Sequence, residues 1–191
     1  PGVNHQGVVA LAAEREYADL GDLFAAAEAA GEPPLFVLLD EVEDPHNFGS
    51  ILRTADCAGA HGVVVPKRRS AALTATVAKT SAGAVEHVRV ARVANLAQAI
   101  EELKERGIWV VGADGAAERA VYEQDLTVPL ALVIGNEGRG LGRLVRERGD
   151  FLVRIPMFGR INSLNASVAA ALLLYEAVRQ RKAAGAAGRG T

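Results

Sequence analysis

The sequence predicts an α/β domain with a mainly parallel sheet and helices on both of its faces. Half of the 191 residues are apolar, which is enough material for a sizeable core. Short apolar runs alternate with helical segments along the chain. These runs are too short for most helices and too continuous for strands with one exposed face. Such alternation is typical of parallel strands joined by crossover helices.

The first 34 residues are interpreted as a lead-in to this domain. Residues 3–11 are strand-like, and residues 19–34 read as a helix that Gly31 and the two following prolines stop. The domain itself is predicted to span residues 35–182. Residues 183–191 are low in complexity and are predicted to form a disordered tail.

Within the domain, the predicted strands are buried apolar runs, and one alternating segment, 86–93, is interpreted as an edge strand. The buried runs are 35–42, 62–66, 108–114, 130–137 and 151–157. The predicted helices are 47–59, 74–81, 95–106, 141–148 and a long, mostly buried one that starts at residue 164.

Composition excludes several classes of protein. The single cysteine, Cys57, rules out a disulfide framework and a cysteine-based zinc site, which suits a reducing cytoplasm. We interpret Cys57 as a small buried packing residue. The four histidines lack ligand spacing, so no metal site is predicted. No apolar run approaches the roughly 18 residues of a membrane span.

Charge is distributed unevenly along the chain. Residues 1–138 carry 11 basic and 20 acidic groups, whereas residues 139–191 carry 10 and 3. Of the 21 basic residues 17 are arginine, the better bidentate ligand for phosphate. Four arginines of the basic third are candidate phosphate contacts: Arg139, Arg143, Arg146 and Arg160. The basic residues 67–69 are interpreted as a solvated loop or, in a nucleic-acid enzyme, as a further phosphate contact.

Polar and glycine-rich loops follow four of the predicted strands, at residues 44–55, 113–116, 135–142 and 157–165. Ligands of open α/β sheets bind beyond the carboxyl ends of the strands, so these loops are expected to meet at one site. The glycine loop 135–142 is followed by no Gly-Lys-Ser/Thr, and no GxGxxG opens a helix after the first strand. ATP hydrolysis and a dinucleotide site therefore lose support.

Asn47 and Arg53 lie six residues apart in the first of these loops and its helix. An ordinary account is that Asn47 caps the helix and Arg53 lies on its surface. However, Arg53 is flanked by residues of the apolar stripe, where an unpaired guanidinium would be costly. We therefore expect Arg53 to have an anionic partner in the protein or in a ligand. His46 is interpreted as a capping or packing residue.

Three segments together resemble the SpoU-type RNA 2′-O-ribose methyltransferases of the SPOUT superfamily. The first is LDEVEDPHNFGSILRTADCAG, the second LALVIGNEGRGL and the third IPMFGRINSLNASVAAALLLYEA. The similarity covers residues 35–182. Features such as HGVVVPKRRSA and the ending YEAVRQR look most like the bacterial members that methylate a guanosine ribose in 23S ribosomal RNA.

The resemblance implies a C-terminal deep trefoil knot, S-adenosylmethionine as cofactor, RNA as substrate and a homodimer, with no metal and no membrane. Many relatives carry an N-terminal RNA-binding domain, so residues 1–34 would be a linker that follows one. By motif matching, the implied catalytic residues are Arg53, Asn47, Glu137, Ser163 and Asn165. The implied cofactor-binding residues are Gly135, Ile155, Leu164, Ile134, Met157, Ala113 and Gly115.

Several alternatives stay open. The RNA could be a transfer RNA, or the chain could bind RNA without transferring a methyl group. A nucleotide-using α/β enzyme that acts on a small molecule would have no use for the basic C-terminal third. For Arg53, the family proposal is general base catalysis assisted by an RNA phosphate. The alternative is that Arg53 stays charged and positions the phosphate and the ribose hydroxyl. A general base would have to be neutral, and keeping a guanidinium neutral near pH 7 costs about 9 kcal/mol.

Overall fold

A six-stranded, wholly parallel sheet forms the centre of the protein. The computed structural model describes residues 16–187. The strands are β1 (Leu35–Leu39), β2 (Gly62–Pro66), β3 (Val90–Val93), β4 (Trp109–Ala113), β5 (Leu130–Ile134) and β6 (Phe151–Val153). Their spatial order is β3-β2-β1-β5-β4-β6, and every neighbouring pair is parallel. The predicted fold class is therefore confirmed.

Six α-helices surround the sheet. They are α1 (Leu20–Ala30), α2 (Pro45–Cys57), α3 (Ala75–Thr80), α4 (Leu96–Glu105), α5 (Arg143–Arg148) and α6 (Ala166–Ala187). Two short 3-10 helices, Ala84–Glu86 and Val121–Glu123, complete the elements in the described range. None of the helices between residues 16 and 187 is long and apolar enough to cross a membrane.

Successive residues of the central strands point to opposite faces, and each face has its own core. Val37 and Leu39 join a cluster with α2 and α6, whereas Phe36 and Leu38 join a cluster with α1, α4 and α5. All five residues of β1 are buried. Because both faces are covered, the central strands are continuous apolar runs in the sequence.

The structure shortens most predicted strands and corrects the edge strand. Only β2 keeps its predicted limits; the other runs lose residues that belong to the loops at the carboxyl edge. The edge position of β3 is correct, but residues 86–89 are not part of it, because a 3-10 helix ends at Glu86. The strand-like residues 3–11 lie outside the described range.

Both ends of the described chain join the fold. Leu20 and Leu23 of α1 are buried in the core, although the sequence analysis assigned this helix to a lead-in. At the other end α6 continues to Ala187, so residues 183–187 of the predicted disordered tail are helical. Gly31 ends α1 in the left-handed conformation, with φ of 65°, as its predicted role as a helix stop requires.

Helix α6 is less buried than predicted. Ala170, Leu173, Leu174 and Ala177 pack into the core, but Val168, Leu172 and Tyr175 are exposed on the surface of this chain. The sequence spacing of the second set is also helical, so periodicity alone could not separate an inner stripe from an outer one.

At α2 the structure contradicts the interpretation of Cys57 and differs from the ordinary account of Asn47. Asp44 caps the helix, accepting a hydrogen bond from the backbone N–H of Asn47 at 2.9 Å, so Asn47 lies inside the first turn. Cys57 is exposed, because it ends the helix on the side away from buried Ile51 and Ala55.

Candidate active site

A cavity of about 390 Å³ opens at the carboxyl edge of the sheet, beside β5, β4 and β6. The strand order reverses between β1 and β5, and ligands of open parallel sheets bind at such a point. Residues from four segments line the cavity: 113–115, 134–140, 153–157 and 162–169. Three of the four loops expected to meet therefore contribute directly to its wall.

All seven residues predicted to hold the cofactor line this cavity: Ala113, Gly115, Ile134, Gly135, Ile155, Met157 and Leu164. Of the predicted catalytic residues, Glu137 and Ser163 also line it. Asn47 and Asn165 reach it through hydrogen bonds to Glu137. Arg53 lies on α2, exposed, and forms no ion pair within residues 16–187. The described residues supply no anionic partner for Arg53, so of the two partners expected, one in the protein or one in a ligand, the ligand stays a prediction.

Glu137, Asn47 and Asn165 form a hydrogen-bonded triangle beside the cavity. Oε2 of Glu137 accepts from Nδ2 of Asn47 at 3.2 Å and from Nδ2 of Asn165 at 3.3 Å. Nδ2 of Asn165 also donates to Oδ1 of Asn47 at 2.9 Å. Three chain segments far apart in sequence thus fix the direction of one carboxylate.

Asn165 has a second task, at the start of α6. Its Oδ1 accepts from the backbone N–H of Ser167 at 2.9 Å and from the Ser167 hydroxyl at 2.6 Å. It therefore satisfies a donor that the first helical turn leaves unpaired. The side chain has little freedom left to move during a reaction, which makes it a positioning residue.

The glycine loop closes on itself at Gly135. Asn136 and Gly140 exchange backbone hydrogen bonds of 3.0 and 2.7 Å, which brings Gly140 against Gly135. A Cβ atom at Gly135 would lie 2.3 Å from the backbone carbon of Gly140. Only glycine can occupy position 135, because the backbone of Gly140 fills the space that a Cβ atom would need.

Sequence reasoning missed two residues that hold this loop. Buried Asp40, at the end of β1, accepts a hydrogen bond from the N–H of Gly142 at 2.6 Å. Burial raises the pKa of the Asp40 carboxyl, and the Gly142 hydrogen bond opposes that rise. Asn136 donates to the carbonyl of Glu41 at 3.0 Å. Asp40 could have been identified from the sequence, because it is an acidic residue directly after a buried strand.

Most arginines of the basic third are already paired. Arg146 contacts Asp114, a cavity residue, at 2.7 Å, and Arg143 contacts Glu147 at 2.9 Å. Arg139 contacts Glu41 at 3.2 Å. Arg160 is exposed and has no ion pair in the described part of the chain. Acidic residues of the first 138 positions therefore balance part of the positive bias read from the sequence, through Glu41 and Asp114.

The arginines near the end of α6 are held by contacts within the protein. Arg179 is paired with Glu176 at 2.8 Å. Arg181 donates to the carbonyls of Pro33, Pro34 and Val128 at 2.7 to 2.8 Å. Arg181 therefore fastens α6 to the amino edge of the sheet rather than facing solvent.

Residues 155–164 contain backbone groups available to a ligand. Within the described residues, this segment takes part in no hydrogen bond, although Ile155, Met157 and Leu164 border the cavity. Backbone N–H and C=O groups require partners when they are removed from water. Together with the apolar side chains of Ile134 and Ile155, they suit a ligand that is partly apolar and hydrogen-bonds to main chain.

The fold and this cavity define an α/β protein of the class that binds a small cofactor at the carboxyl edge of a parallel sheet. Residues 34–175 match the model of the SpoU rRNA Methylase family, and the chain belongs to that family. It is 61% identical to YacO of Bacillus subtilis, which is assigned to the TrmH family of tRNA/rRNA methyltransferases. That similarity covers 95% of this chain and 73% of YacO.

Solved structures agree with this assignment. The SpoU methyltransferase AviRb from Streptomyces viridochromogenes, in complex with AdoMet, is 38% identical with a TM-score of 0.75. The similarity covers 80% of this chain, which spans only 62% of the AviRb chain. The TrmH/SpoU tRNA modifying enzyme of A. aeolicus is 34% identical with a TM-score of 0.74, over 85% of this chain and 84% of that one.

The family consists of RNA methyltransferases whose cofactor is S-adenosylmethionine, and the residues present here fit that cofactor. The unpaired main-chain groups of residues 155–164 can form hydrogen bonds with the polar groups of the cofactor. The apolar side chains at the cavity can pack against its less polar parts. No group of three or more His, Cys, Asp or Glu residues between residues 16 and 187 is placed to hold a metal ion.

Proposed function

We propose that the protein methylates the 2′-hydroxyl of a ribose in RNA, with S-adenosylmethionine as methyl donor. The observation that carries this proposal is the Glu137–Asn47–Asn165 triangle, which borders a cavity lined by unpaired main chain. All three residues fall in the motifs that resemble 2′-O-methyltransferases. Family membership supports methyl transfer to RNA. Methylation at the 2′-oxygen of the ribose is part of the proposal.

In this proposal the cavity residues hold the cofactor and exclude water. Gly135 lines the cavity and lets Gly140 close the loop, and Ile155 and Leu164 contribute main-chain groups. When bound, the cofactor supplies an electrophilic methyl group on a sulfonium. Ser163, which is exposed at the cavity, offers a hydroxyl to the incoming RNA. The fixed Glu137 carboxylate has lone pairs left to accept a hydrogen bond from the ribose.

The ribose hydroxyl must lose a proton as it attacks, because a neutral hydroxyl is a poor nucleophile. Arg53 has no carboxylate partner among the described residues, so its guanidinium is free to bind an RNA phosphate. A positively charged guanidinium cannot accept a proton, which favours a role in positioning the phosphate and the hydroxyl. The phosphate or solvent then takes the proton.

Arg53→Ala tests this role. Methyl transfer to RNA should fall at least about 100-fold, the size expected for a lost positioning or proton-transfer group. Cofactor binding measured by calorimetry should change less than about twofold, because Arg53 does not line the cavity. Near-normal turnover of the variant would contradict both readings of Arg53.

For the substrate we propose ribosomal RNA, and within it a guanosine of 23S rRNA. The support is the resemblance of the segments around residues 61–71 and 175–181, together with the family's description. Mapping of 2′-O-methyl positions in ribosomal and transfer RNA, from cells with and without the full-length protein, tests it. Loss of a single rRNA site is expected. Loss of a tRNA site would assign the other substrate, and loss of none would contradict 2′-O-methylation.

We also propose that two copies form the working enzyme. Val168, Leu172 and Tyr175 lie at helical spacing on α6 and are 45–50% exposed. Phe158 and Ile161, in the loop before α6, are 97% and 76% exposed. Such an array of exposed apolar side chains is typical of a protein interface. A second copy would cover these residues next to the cavity.

A further inference from the structure

A second feature of the carboxyl edge is a carboxylate shared by two arginines from different loops. Oε1 of Glu41 lies 2.6 Å from Nη1 of Arg69, and Oε2 lies 3.2 Å from Nη2 of Arg139. Glu41 follows β1, Arg69 follows β2 and Arg139 follows β5. One side chain therefore holds two guanidinium groups next to each other.

The backbone at this contact is unusual. Among the described residues only three that are not glycine have positive φ, and two of them are Glu41 (58°) and Arg69 (55°). These two are each other's ion-pair partners. Side chains with a Cβ avoid this region, and such conformations concentrate at functional sites. An exposed ion pair adds little to folding stability, so stability is a weak reason to keep both.

The pair lies beside the cavity through Asn136. Asn136 lines the cavity and donates from its side chain to the Glu41 carbonyl at 3.0 Å. The backbone N–H of Arg139 donates to Oδ1 of Asn136 at 3.2 Å. One asparagine thus connects the two arginines to the loop that carries Gly135 and Glu137.

Charge distinguishes this contact from the other arginine pairs. Arg143, Arg146 and Arg148 each have a carboxylate of their own. Arg69 and Arg139 share one, and their side chains are each 65% exposed. Nearby, Lys67 and Arg68 are exposed without ion pairs in the described chain, and Glu43 is the other acid near Arg69. Arg69 and Arg139 are thus the exposed arginines that share a single carboxylate.

We propose that Arg69 and Arg139, held side by side by Glu41, bind one phosphate of the RNA backbone next to the cavity. This inference rests on the proposed function only in taking RNA as the substrate. Two planar guanidinium groups present parallel N–H donors to the oxygens of a phosphodiester. Glu41 is a positioning residue, since it sets the spacing of the two arginines and does not itself contact the phosphate. We call the two arginines the phosphate fork.

The test measures binding of a short fluorescent single-stranded RNA of mixed sequence by anisotropy, across about 50 to 200 mM KCl. The slope of log affinity against log salt reports how many phosphates the protein neutralises, at about 0.7 per phosphate of single-stranded RNA. Arg69→Ala and Arg139→Ala should each make the slope shallower by up to about 0.7, and the double variant by no more than that. A combined loss of about 1.4 would mean two separate phosphates and would overturn the fork.

Glu41→Gln tests the positioning role, because it keeps both arginines and removes the shared charge. In this background the two alanine substitutions should act independently, so that their effects on affinity multiply. If the effects of the two alanine substitutions on RNA affinity were still non-additive in the Glu41→Gln background, Glu41 would have no positioning role. A purely structural Glu41 would change thermal stability without altering this coupling.

Arg148→Ala is the matched control, since Arg148 is also exposed and ion-paired, with Glu101 on α4. Its slope should equal that of the unchanged protein. The phosphate fork would be contradicted if Arg148→Ala made the salt slope as shallow as Arg69→Ala does. It would also be contradicted if RNA binding by the unchanged protein did not depend on salt. Cofactor affinity, measured on every variant, should stay within about twofold. The RNA-binding measurement does not require methyl transfer. If the protein transferred no methyl group, the proposed function would be rejected, but the result for the phosphate fork would remain valid.

Discussion

The side chain of Asn165 donates to the side chain of Asn47 at 2.9 Å and so joins the start of α6 to the first turn of α2, 118 residues apart. The same nitrogen contacts Glu137, and the oxygen of the same amide caps α6. The position of the last helix and the direction of the candidate catalytic carboxylate are therefore coupled through one residue.

Substitution of Asn165 can separate its two tasks. Asn165→Ala should lower the free energy of unfolding by about 1 kcal/mol, the usual effect of losing a helix cap, and should also impair methyl transfer. Asn165→Ser keeps a capping oxygen but cannot reach Asn47, so it should retain stability and lose activity. Urea unfolding and methyl-transfer assays on both variants give the comparison. An active Asn165→Ser protein would show that the link to Asn47 is dispensable.

Two glycines of one loop should respond differently to the same change. Gly135→Ala forces a Cβ to within 2.3 Å of the Gly140 backbone, so the loop must shift, and we expect cofactor affinity to fall at least about tenfold. At Gly138 the nearest atom to an added Cβ is 3.6 Å away, and Gly138→Ala should bind normally. Calorimetry with S-adenosylmethionine measures both. Equal affinities would mean that the cavity tolerates movement of this loop.

The proposed dimer predicts a position-specific effect of one charge. Leu172→Glu places a carboxylate in the middle of the exposed stripe of α6, where burial against a second copy would be costly. Sedimentation should then report monomers. Leu144→Glu, at an exposed apolar residue of α5 on the opposite face of the sheet from α6, should leave the dimer intact. A monomeric unchanged protein, or a dimeric Leu172→Glu variant, would rule out this interface.

His61 predicts how stability depends on pH. Burial lowers the pKa of His61 below its usual 6.5, with Glu32 opposing the shift, and Nδ1 accepts from the N–H of Leu35 at 3.0 Å. As pH falls below 6.5, the unfolded chain binds a proton that the folded protein still refuses. The free energy of unfolding should therefore decrease from pH 6.5 downward, until folded His61 is itself protonated.

The pH prediction is checked by urea unfolding at a series of pH values. His61→Asn keeps an acceptor near Leu35 but does not titrate, so the curve should flatten below pH 6.5. His87→Asn, which removes an exposed histidine, is the control. A steeper decline in His61→Asn would contradict the assignment.

The fold was predictable because burial on both faces of a parallel sheet leaves a local signal. Runs such as those of β1 and β5 are continuous apolar segments, and caps such as Gly31 mark the helix ends. Strand ends were predicted too late, because the predicted runs 35–42 and 130–137 continued past Leu39 and Ile134 into residues that belong to the loops of the site. Propensity does not distinguish the last residue of a strand from the first residue of a binding loop.

The site was predictable only where its motifs resemble a known family. The cavity residues named from those motifs do lie together, but the sequence could not show that Asn165 contacts Asn47 or that Glu41 holds two arginines. Both facts depend on contacts between distant segments. The sequence also could not decide whether the partner of Arg53 lies in the protein or in a ligand, since exposure of one helix face depends on what packs against it.

The attachment of α6 at both of its ends has a consequence for synthesis. Asn165 fixes one end to α2, and Arg181 fixes the other to carbonyls that precede β1 and β5. The ribosome makes this helix after every segment to which it is fastened, so a growing chain can form most of the sheet while the cavity still lacks one wall. Only a chain in which α6 has docked forms the complete cavity. Bound S-adenosylmethionine should therefore stabilise molecules in which α6 is docked over those in which it is not.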